Sequence, residues 1–371
     1  MASETSTRDF VSLGMFIIDE FSFADEDGNP TGRTQAAQVS SRILITAHAI
    51  LRTLLWMAAD RGGEALTPLS AHGYGAAHSL EVQLVNWEGN DFPAHIQEAL
   101  DSYGPDMWLY RDNPNRSTTR AINSYRGEFR GFDYLTPRIR ITPHDLEGTK
   151  LARPRIIHFI CSPSRALAIM SGVKQDPDWR PITVYEPIPD RCVPEELPAL
   201  TEVLPYISVL SPNADEALSL LSMPLPPTKE LVEEACRRFL DIGVGPNGTG
   251  AVVIRSGAMG ACVAQREQAL VWVDAYWSGP ESLDKVVDVT GAGNSFLGGL
   301  GAGLVLANGD VPEATLYATV SASFTIEQEG LPRLTRTKDA NSAEVELWNG
   351  DSPERRLKEL QDRLLTRKGT K

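Results

Sequence analysis

The chain has 371 residues, of which 35 are basic and 49 acidic, and its formal charge is −14. This acidic excess argues against a nucleic acid or an anionic membrane as the main partner, because both require a basic surface, but a small basic pocket for a phosphorylated ligand stays compatible with it. Hydrophobic residues make up 42% and charged residues 23% of the chain, as in globular proteins that bury a core.

The N-terminal segment is polar and has no apolar centre of the kind that a secretory leader contains. Residues 43–59 are apolar, but His48 and Arg52 interrupt them, and the run is shorter than the roughly 20 residues that cross a bilayer. We predict a buried or partly buried helix there. The four cysteines are scattered without a C-x-x-C pair, which is typical of reduced thiols. We therefore expect a soluble, cytoplasmic protein.

Short runs of apolar and β-branched residues bounded by turn residues are predicted to be buried strands. In chain order these runs are residues 11–18, 156–161, 182–185, 206–210 and 251–255. Two helices are predicted between them, at 213–221, which opens with capping residues, and at 229–242, which ends before Gly243. This alternation predicts an α/β fold, in which a mostly parallel sheet is covered by helices on both faces.

Three stretches depart from the alternation. Residues 31–84 have helix-like apolar spacing without a clear strand, and residues 106–140 are polar, aromatic and rich in arginine, as in short exposed strands. Residues 341–371 contain a helix that begins after a cap at Asp351 and Ser352, with Pro353 in the first turn, and a basic tail. We predict one α/β domain over residues 1–340, with 106–140 as an insertion, followed by this helix and tail.

The most informative segment for function is the glycine-rich turn D-V-T-G-A-G-N at residues 288–294, which is predicted to join a strand to a helix of small residues. Such a turn leaves several backbone N–H groups unpaired at the positive end of the helix dipole, and glycine lets a phosphate approach them. The pattern predicts an anion hole at Gly291, Ala292 and Gly293. The alternative is structural: small residues let the helix pack closely on the sheet, and Asn294 is an ordinary cap.

This segment resembles the second signature of the PfkB/ribokinase family of carbohydrate kinases, D-T-x-G-A-G-D. Three other segments are similar to family motifs and occur in the family's order: G-M-F-I-I-D at 14–19 for the first strand, N-A-D-E at 213–216 for N-x-x-E, and V-V-I-R-S-G-A-M-G at 252–260 for the strand and turn beside the nucleotide phosphates. Four partial matches are more specific than any one. The pairing of G-A-G-N with F-I-I-D-E and Y-L-T-P-R-I-R-I-T-P is most similar to the fungal Mak32-like branch.

The resemblance implies a three-layer ribokinase-like fold: a mostly parallel central sheet flanked by helices, with a small β lid at residues 106–140. It also implies ATP and Mg²⁺ as cofactors and a small-molecule acceptor with a sugar-like or nucleoside-like hydroxyl. Family members are often dimers, so a homodimer through the lid strands is expected by resemblance.

Residue roles are implied in the same way. The anion hole is Gly291, Ala292 and Gly293, with Asn294 at the catalytic position. The residues implied to bind the nucleotide are Asn213, Glu216, Ser256, Gly257 and Gly260. Glu216 would also order water around Mg²⁺, Asp288 and Thr290 would bind a monovalent cation, and Asp19 would hold the acceptor. Plainer alternatives are open: Asp19 as a solvated turn residue, Glu216 as first-turn helix charge, and Gly257 and Gly260 as a hairpin turn.

Two departures from the family pattern bear on activity. Asn294 stands where the family has the aspartate that accepts the acceptor's proton, and an amide cannot take up that proton. Losing a general base typically costs roughly 10²–10⁴ in rate, although phosphoryl transfer depends mainly on positioning and charge stabilisation. Residues 31–84 hold G-G at 62–63 and G-Y-G at 73–75, but neither lies in the setting of the family's paired-glycine motif. Either the acceptor site has changed, or this stretch is not the native sequence.

The function hypotheses differ in whether the chain catalyses a reaction. The first is a small-molecule kinase that transfers the ATP γ-phosphoryl group to the acceptor hydroxyl, and the alternative is an inactive nucleotide- or metabolite-binding protein that acts through protein partners. A third, another chemistry on the same fold, has no specific support in the chain. The six histidines show no metal-ligand spacing, and the absence of a G-K-[ST] phosphate loop excludes a Walker-type NTPase.

Overall fold

The computed structural model describes residues 9–13, 17–32, 38–39, 82–102, 108–126, 129–338 and 344–369. Its strands are β1 (Phe10–Ser12), β2 (Ile18–Ala24), β3 (Gln38–Val39), β4 (Val82–Gly89), β5 (Trp108–Asn113), β6 (Arg120–Arg126), β7 (Phe129–Tyr134), β8 (Ile156–Cys161), β9 (Ile182–Pro187), β10 (Val209–Leu210), β11 (Ala251–Arg255), β12 (Ala261–Gln265), β13 (Val271–Val273), β14 (Leu334–Lys338) and β15 (Glu344–Trp348). Its α-helices are α1 (Ala94–Asp101), α2 (Pro163–Lys174), α3 (Leu197–Val203), α4 (Ala214–Leu220), α5 (Lys229–Ile242), α6 (Ala292–Leu306), α7 (Val311–Thr325) and α8 (Pro353–Gly369).

Nine of the described strands form one sheet, in the order β13-β12-β11-β10-β9-β8-β1-β4-β5. Every neighbouring pair from β11 to β5 is parallel, whereas β12 and β13 extend one edge in antiparallel fashion. Parallel neighbours need crossover connections, and helices supply several of them here. The predicted mostly parallel sheet is confirmed.

Strand β11 shows how the sheet is buried on both faces, because successive side chains point to opposite sides. Val252 and Ile254 belong to one apolar cluster with Phe239 of α5, whereas Val253 belongs to a second cluster with Phe324 of α7. The first cluster contains residues of α2 to α5, and the second contains residues of α6 to α8. The result is the expected arrangement of helix, sheet and helix layers.

A smaller sheet of four described strands lies beside the first, in the order β3-β2-β6-β7. Residues 106–140 are divided between the two sheets rather than forming one insertion, since β6 and β7 lie in the smaller sheet and β5 pairs with β4 at the edge of the larger one. In β5 the Trp108 ring is buried, and its indole N–H donates to the carbonyl of Leu100 at 3.0 Å. An alternating pattern does not reveal which sheet a strand joins.

Most of the predicted strands and helices are confirmed, several at their predicted bounds. The strands at 156–161 and 251–255 and the helix at 229–242 match, and Gly243 ends that helix with a φ of 108°. The helix at 213–221 is confirmed as Ala214–Leu220, with Asn213 as its cap. The strand at 206–210 shortens to Val209–Leu210, because Leu204–Tyr206, which includes Pro205, form a 3₁₀ turn.

The prediction of one strand over residues 11–18 is wrong. Phe10–Ser12 lies in the large sheet, whereas Ile18–Ala24 begins in the small sheet, so the chain changes sheets within the apolar run. A continuous apolar run is compatible with either arrangement. The predicted helix at 43–59 and the paired glycines at 62–63 and 73–75 lie outside the described residues.

The C-terminal helix α8 begins after Ser352, whose hydroxyl accepts the N–H of Arg355 at 3.3 Å. The antiparallel pair β14 and β15 precedes it. Leu357 and Leu360 are buried in the same apolar cluster as α6 and α7, so the helix packs on the α/β core. Among the described helices, none has the length and apolar character needed to cross a membrane.

Candidate functional site

The glycine-rich turn lies between residue 287 and the first turn of α6. The Asp288 carboxylate accepts the N–H of Thr290 at 2.8 Å, and the N–H groups of Val287 and Asp288 donate to the carbonyl of Ile326 at 2.8 and 3.2 Å. Gly291 then adopts a φ of 93°, in the left-handed region that favours glycine. The turn is thereby anchored to the end of α7 and directs the chain into α6.

Some backbone donors of the turn have no acceptor within the described part of the chain. The N–H of Ala292 donates to the carbonyl of Val289 and that of Ser295 to the carbonyl of Gly291, each at 3.1 Å, whereas the N–H groups of Gly293 and Asn294 are unpaired there. The partly exposed side chain of Asn294 likewise has no hydrogen bond to any described residue. Unpaired N–H groups at a helix N-terminus attract anions.

The small residues farther along α6 have a packing role. A Cβ on Gly299 would lie 2.7 Å from the Cα of Ala318, and a Cβ on Gly303 would lie 2.7 Å from the carbonyl oxygen of Ala314. Helix α6 therefore approaches α7 at these glycines more closely than larger residues would allow. The small residues at these positions thus serve packing against α7 and not against the sheet, and they leave Gly291 and Gly293, in and just after the turn, to be explained separately.

Arg255 lies against this turn. It is the last residue of β11, its side chain is 11% exposed, and a Cβ on Gly293 would collide with its Nη1 atom. The guanidinium therefore stands beside the unpaired N–H groups at the start of α6. An arginine at an anion-binding helix terminus adds a full positive charge and a planar set of donors.

Two buried carboxylates hold the guanidinium in place. Arg255 Nη2 donates to Oε1 of Glu186 at 2.5 Å and lies 3.6 Å from Oε2 of Glu216. Burial raises the pKa of Glu186, and the Arg255 charge opposes that rise. Buried charges of this kind persist only when they are paired, so each carboxylate depends on the arginine and the arginine on them.

Asn213 and Glu216 form a reciprocal cap, in which the side chain of each residue accepts the backbone N–H of the other. The Glu216 N–H donates to Oδ1 of Asn213 at 2.8 Å, and the Asn213 N–H donates to Oε2 of Glu216 at 2.7 Å, at the start of α4. Burial raises the pKa of Glu216 to about 7, although Arg255 and the Asn213 N–H act against the rise. Glu216 therefore does carry a charge in the first turn of α4, as the plainer alternative has it. Its carboxylate also lies 3.6 Å from Arg255 Nη2.

His158 completes the buried cluster. Its Nδ1 is 2.9 Å from the Ser12 hydroxyl, and its Nε2 is 4.0 Å from Oε2 of Glu186. Burial lowers the pKa of His158 to about 3, with a further contribution from Arg255, so the ring is neutral at physiological pH. Within the described residues, neither His158 Nε2 nor Glu186 Oε2 has a hydrogen-bond partner.

The predicted nucleotide turn at residues 256–260 is the tight connection between β11 and β12. The Ser256 N–H donates to the carbonyl of Gly260 at 2.7 Å, and a 3₁₀ turn at Gly257–Met259 lies between them. Gly257 is exposed, and no atom lies within 4 Å of the place where its Cβ would be, whereas a Cβ on Gly260 would collide with the carbonyl of Val273. Gly260 thus serves the hairpin, and Gly257 leaves open space near the carboxyl end of β11.

Asp19 is the one predicted site residue that lies in the small sheet. Its backbone pairs with Ala121 of β6 and Gln38 of β3, and its side chain lies outside the described part of the chain. The structure therefore brings together the residues at 213–216, at 255 and at 291–294.

Glu186 and His158 belong to no motif recognised in the sequence, and Arg255 lies in one that gave it no role, yet all three lie at the site. Each lies within, or at the carboxyl end of, a strand that is otherwise apolar, as in I-T-V-Y-E-P and A-V-V-I-R. A titratable residue in a strand that is buried on both faces is itself a sign of a functional cluster. That sign was present in the sequence.

Direct coordination of a magnesium ion by Glu216 Oε2 does not fit the residues present, whereas the predicted role of Glu216 in ordering water around Mg²⁺ stays a prediction. Glu216 Oε2 already accepts the Asn213 N–H and lies 3.6 Å from the Arg255 guanidinium, whose charge would repel a second cation. The carboxylate of Asp288, proposed for a monovalent cation with Thr290, accepts the Thr290 N–H. In the described ranges, no group of three or more His, Cys, Asp and Glu residues is placed to hold a metal.

Comparison with known proteins identifies relatives over most of the chain. The profile described as pfkB family carbohydrate kinase matches residues 184–337, which include most of β9, Arg255 and the glycine-rich turn. An uncharacterized protein of Schizosaccharomyces pombe is 32% identical over 366 residues, which are 95% of this chain and 92% of that protein. Protein MAK32 of Saccharomyces cerevisiae is 31% identical over 280 residues, which are 71% of this chain and 73% of that protein.

The fold is also found among solved structures. Ribokinase of Arabidopsis thaliana, complexed with ribose and ATP, superposes with a TM-score of 0.59 over 88% of this chain and 94% of that one. The two sequences are 18% identical, so the likeness shows a shared fold. The expected ribokinase-like arrangement is thereby confirmed.

Proposed function

Since the chain belongs to the pfkB family of carbohydrate kinases, in its Mak32-like branch, we propose that it binds ATP at the 288–294 turn and transfers the γ-phosphoryl group to a small molecule. The acceptor is a hydroxyl of a sugar-like or nucleoside-like compound. One observation carries the proposal: the N–H groups of Gly293 and Asn294 have no acceptor among the described residues and lie beside the Arg255 guanidinium. Together these donors favour a phosphoryl group in transfer.

The nucleotide side of the site is proposed at the carboxyl ends of β10 and β11. Ligands of open α/β sheets bind at the carboxyl ends of the strands, where Asn213, Arg255 and Ser256 all lie. Gly257, exposed and without atoms around its Cβ position, offers close approach to the nucleotide phosphates. The ATP in the Arabidopsis ribokinase structure supports the choice of nucleotide.

The acceptor side is proposed between the large and the small sheet. Asp19 would bind hydroxyls of the acceptor, and the small sheet would cover them as a lid. The ribose in the Arabidopsis structure supports a sugar-like acceptor. A homodimer through the small sheet belongs to the same proposal and rests on resemblance, and a cytoplasmic location is proposed from the scattered cysteines.

Because Asn294 stands at the catalytic position, the proposed phosphoryl transfer has no general base at this residue. Its amide can orient the acceptor hydroxyl, as donor or acceptor of a hydrogen bond, but cannot take up the proton. The proton therefore has to leave late in the transfer or to another group. The loose transition state of phosphoryl transfer tolerates this better than most reactions, because positioning and charge stabilisation supply most of the rate.

A second candidate function is supported by the same residue. A nucleotide-binding protein without catalytic activity, acting through protein partners, would keep the anion hole and would not need an aspartate at position 294. Both candidates require nucleotide binding, and they differ in turnover.

The first test is calorimetric titration of ADP and ATP into the purified protein, with magnesium and, separately, with EDTA. Saturable binding that is lost in Gly293→Val supports the anion hole, because the added side chain collides with Arg255. A folded protein that binds neither nucleotide under any of these conditions overturns the proposed site.

An acceptor screen then separates the two candidates. Sugars and nucleosides are offered with ATP to the wild-type protein and to Asn294→Asp, and ADP formation is measured. Turnover by the wild type supports the kinase, and a rise of roughly 10²–10⁴ in Asn294→Asp identifies the missing base as its limitation. Nucleotide binding without turnover in either protein supports the non-catalytic candidate.

A further inference from the structure

We propose that the Arg255 guanidinium takes the place of a divalent cation in this site, so that nucleotide phosphates bind without magnesium. The inference rests on the proposed nucleotide site and concerns how that site neutralises phosphate charge. It assigns Arg255 a binding role that the sequence motifs did not indicate.

The positive charge of Arg255 lies between two carboxylates. Arg255 Nη2 donates to Glu186 at 2.5 Å and lies 3.6 Å from Glu216, and both carboxylates are more than nine-tenths buried. Hard divalent cations prefer carboxylate oxygens of this kind. Here the guanidinium already occupies the position between them.

The two terminal nitrogens of the Arg255 guanidinium face different neighbours. Glu186 engages Nη2, whereas Nη1 lies against Gly293, where the N–H groups of Gly293 and Asn294 have no acceptor in the described chain. A guanidinium has five N–H donors, so Arg255 can bind the carboxylate and a phosphate at the same time.

The backbone and the side chain of Arg255 are both held in this orientation. The Arg255 N–H donates to the carbonyl of Pro212 at 3.1 Å, which joins its strand to the segment that carries Asn213. Glu216 is fixed in turn by its reciprocal cap with Asn213. A cation fixed by two carboxylates and by the backbone next to them is preorganised for an anion and needs no ion from solution.

The experiment compares ADP binding by the full-length protein in magnesium and in EDTA. We expect the wild-type dissociation constant to change by less than about threefold between the two conditions. Binding that disappears in EDTA and returns with magnesium overturns the inference while leaving the nucleotide site in place. No binding under either condition overturns the proposed function and this inference together.

Variants test whether Arg255 is the cation concerned. Arg255→Met is expected to weaken ADP binding in EDTA by about tenfold or more, as expected when a charge-assisted hydrogen bond is lost. Because it leaves Glu186 buried and unpaired, the double variant Arg255→Met with Glu186→Gln is measured beside it, with circular dichroism as the check on folding. Arg238→Met, which removes an equal charge from the exposed face of α5, should bind as the wild type does. Unchanged ADP binding in the folded double variant overturns the inference.

Discussion

Arg255 Nη1 occupies the space that a Cβ on Gly293 would need, so a larger residue at this position would displace the guanidinium. The backbone of Gly293 is in the first turn of a helix, where alanine would ordinarily be preferred. Glycine at this position therefore accommodates the Arg255 side chain rather than serving the helix.

The first prediction is that Gly293→Ala weakens nucleotide binding. The new methyl group pushes Nη1 away from the start of α6, so a ligand loses a charged donor, and ADP affinity should fall by about tenfold or more in calorimetry. Gly172→Ala is the control, because the nearest neighbour of a Cβ at Gly172, in helix α2, would be Pro143 at an ordinary contact distance of 3.6 Å. Equal affinity in the two variants would contradict the prediction.

The second prediction concerns Asn294→Asp and the stability of the fold. Position 294 is the third residue of α6, where a carboxylate interacts favourably with the helix dipole and with the nearby N–H groups. The free energy of unfolding at neutral pH should rise by about 0.3–1 kcal/mol over that of Asn294→Ala. Urea titrations of both variants measure it. A gain that persists below the pKa of an ordinary aspartate would show that the carboxylate charge is not its cause.

The third prediction is a dependence of stability on the protonation of His158. Burial holds the pKa of His158 at about 3, below its usual 6.5, with a further contribution from Arg255. The unfolded chain therefore binds a proton on this ring below about pH 6.5 that the folded chain does not bind, and stability should decrease as pH falls through this range, by up to about 1.4 kcal/mol per pH unit. Urea unfolding at several pH values measures the slope.

The variant His158→Asn isolates this contribution, because Glu186 and Glu216 act in the opposite direction. Their pKa values are raised in the folded chain, so their protonation favours folding as pH falls. His158→Asn should lose less stability between about pH 6.5 and 4 than the wild type. His144→Asn, which alters a histidine whose side chain is 86% exposed, should keep the wild-type slope. Parallel slopes in the wild type and in His158→Asn would contradict the prediction.

Strands that lie in one sheet and are buried on both of its faces could be predicted from the sequence. Ile156–Cys161 and Ala251–Arg255 are buried on both faces, so their continuous apolar runs define both type and bounds. The chain between Phe10 and Ala24 could not be predicted in this way, because one apolar run serves two sheets. Which strands pair is decided by contacts far apart in sequence, such as β1 with β8 and β2 with β6.

The candidate site was predictable only where its residues are contiguous. The turn at 288–294 and the cap at 213–216 are local, and their geometry follows from glycine and from the Asn and Glu spacing. The pairing of Arg255 with Glu186 joins residues 69 positions apart, across β9, β10 and β11. No spacing rule predicts this ion pair, because it depends on the order of the strands in the sheet.

The last prediction concerns Arg356, which joins α8 to α7. Its side chain is 3% exposed, and it donates to Ser323, Glu327 and Asp351 at 2.7–2.9 Å. Arg356→Met leaves both carboxylates without this partner and should lower the free energy of unfolding by about 3–5 kcal/mol. The neighbouring Arg355 also pairs with Asp351, but its side chain is 55% exposed, so Arg355→Met should cost at most about 1 kcal/mol. Urea unfolding followed by circular dichroism compares the two variants, and similar losses in both would show that burial does not set the strength of these ion pairs.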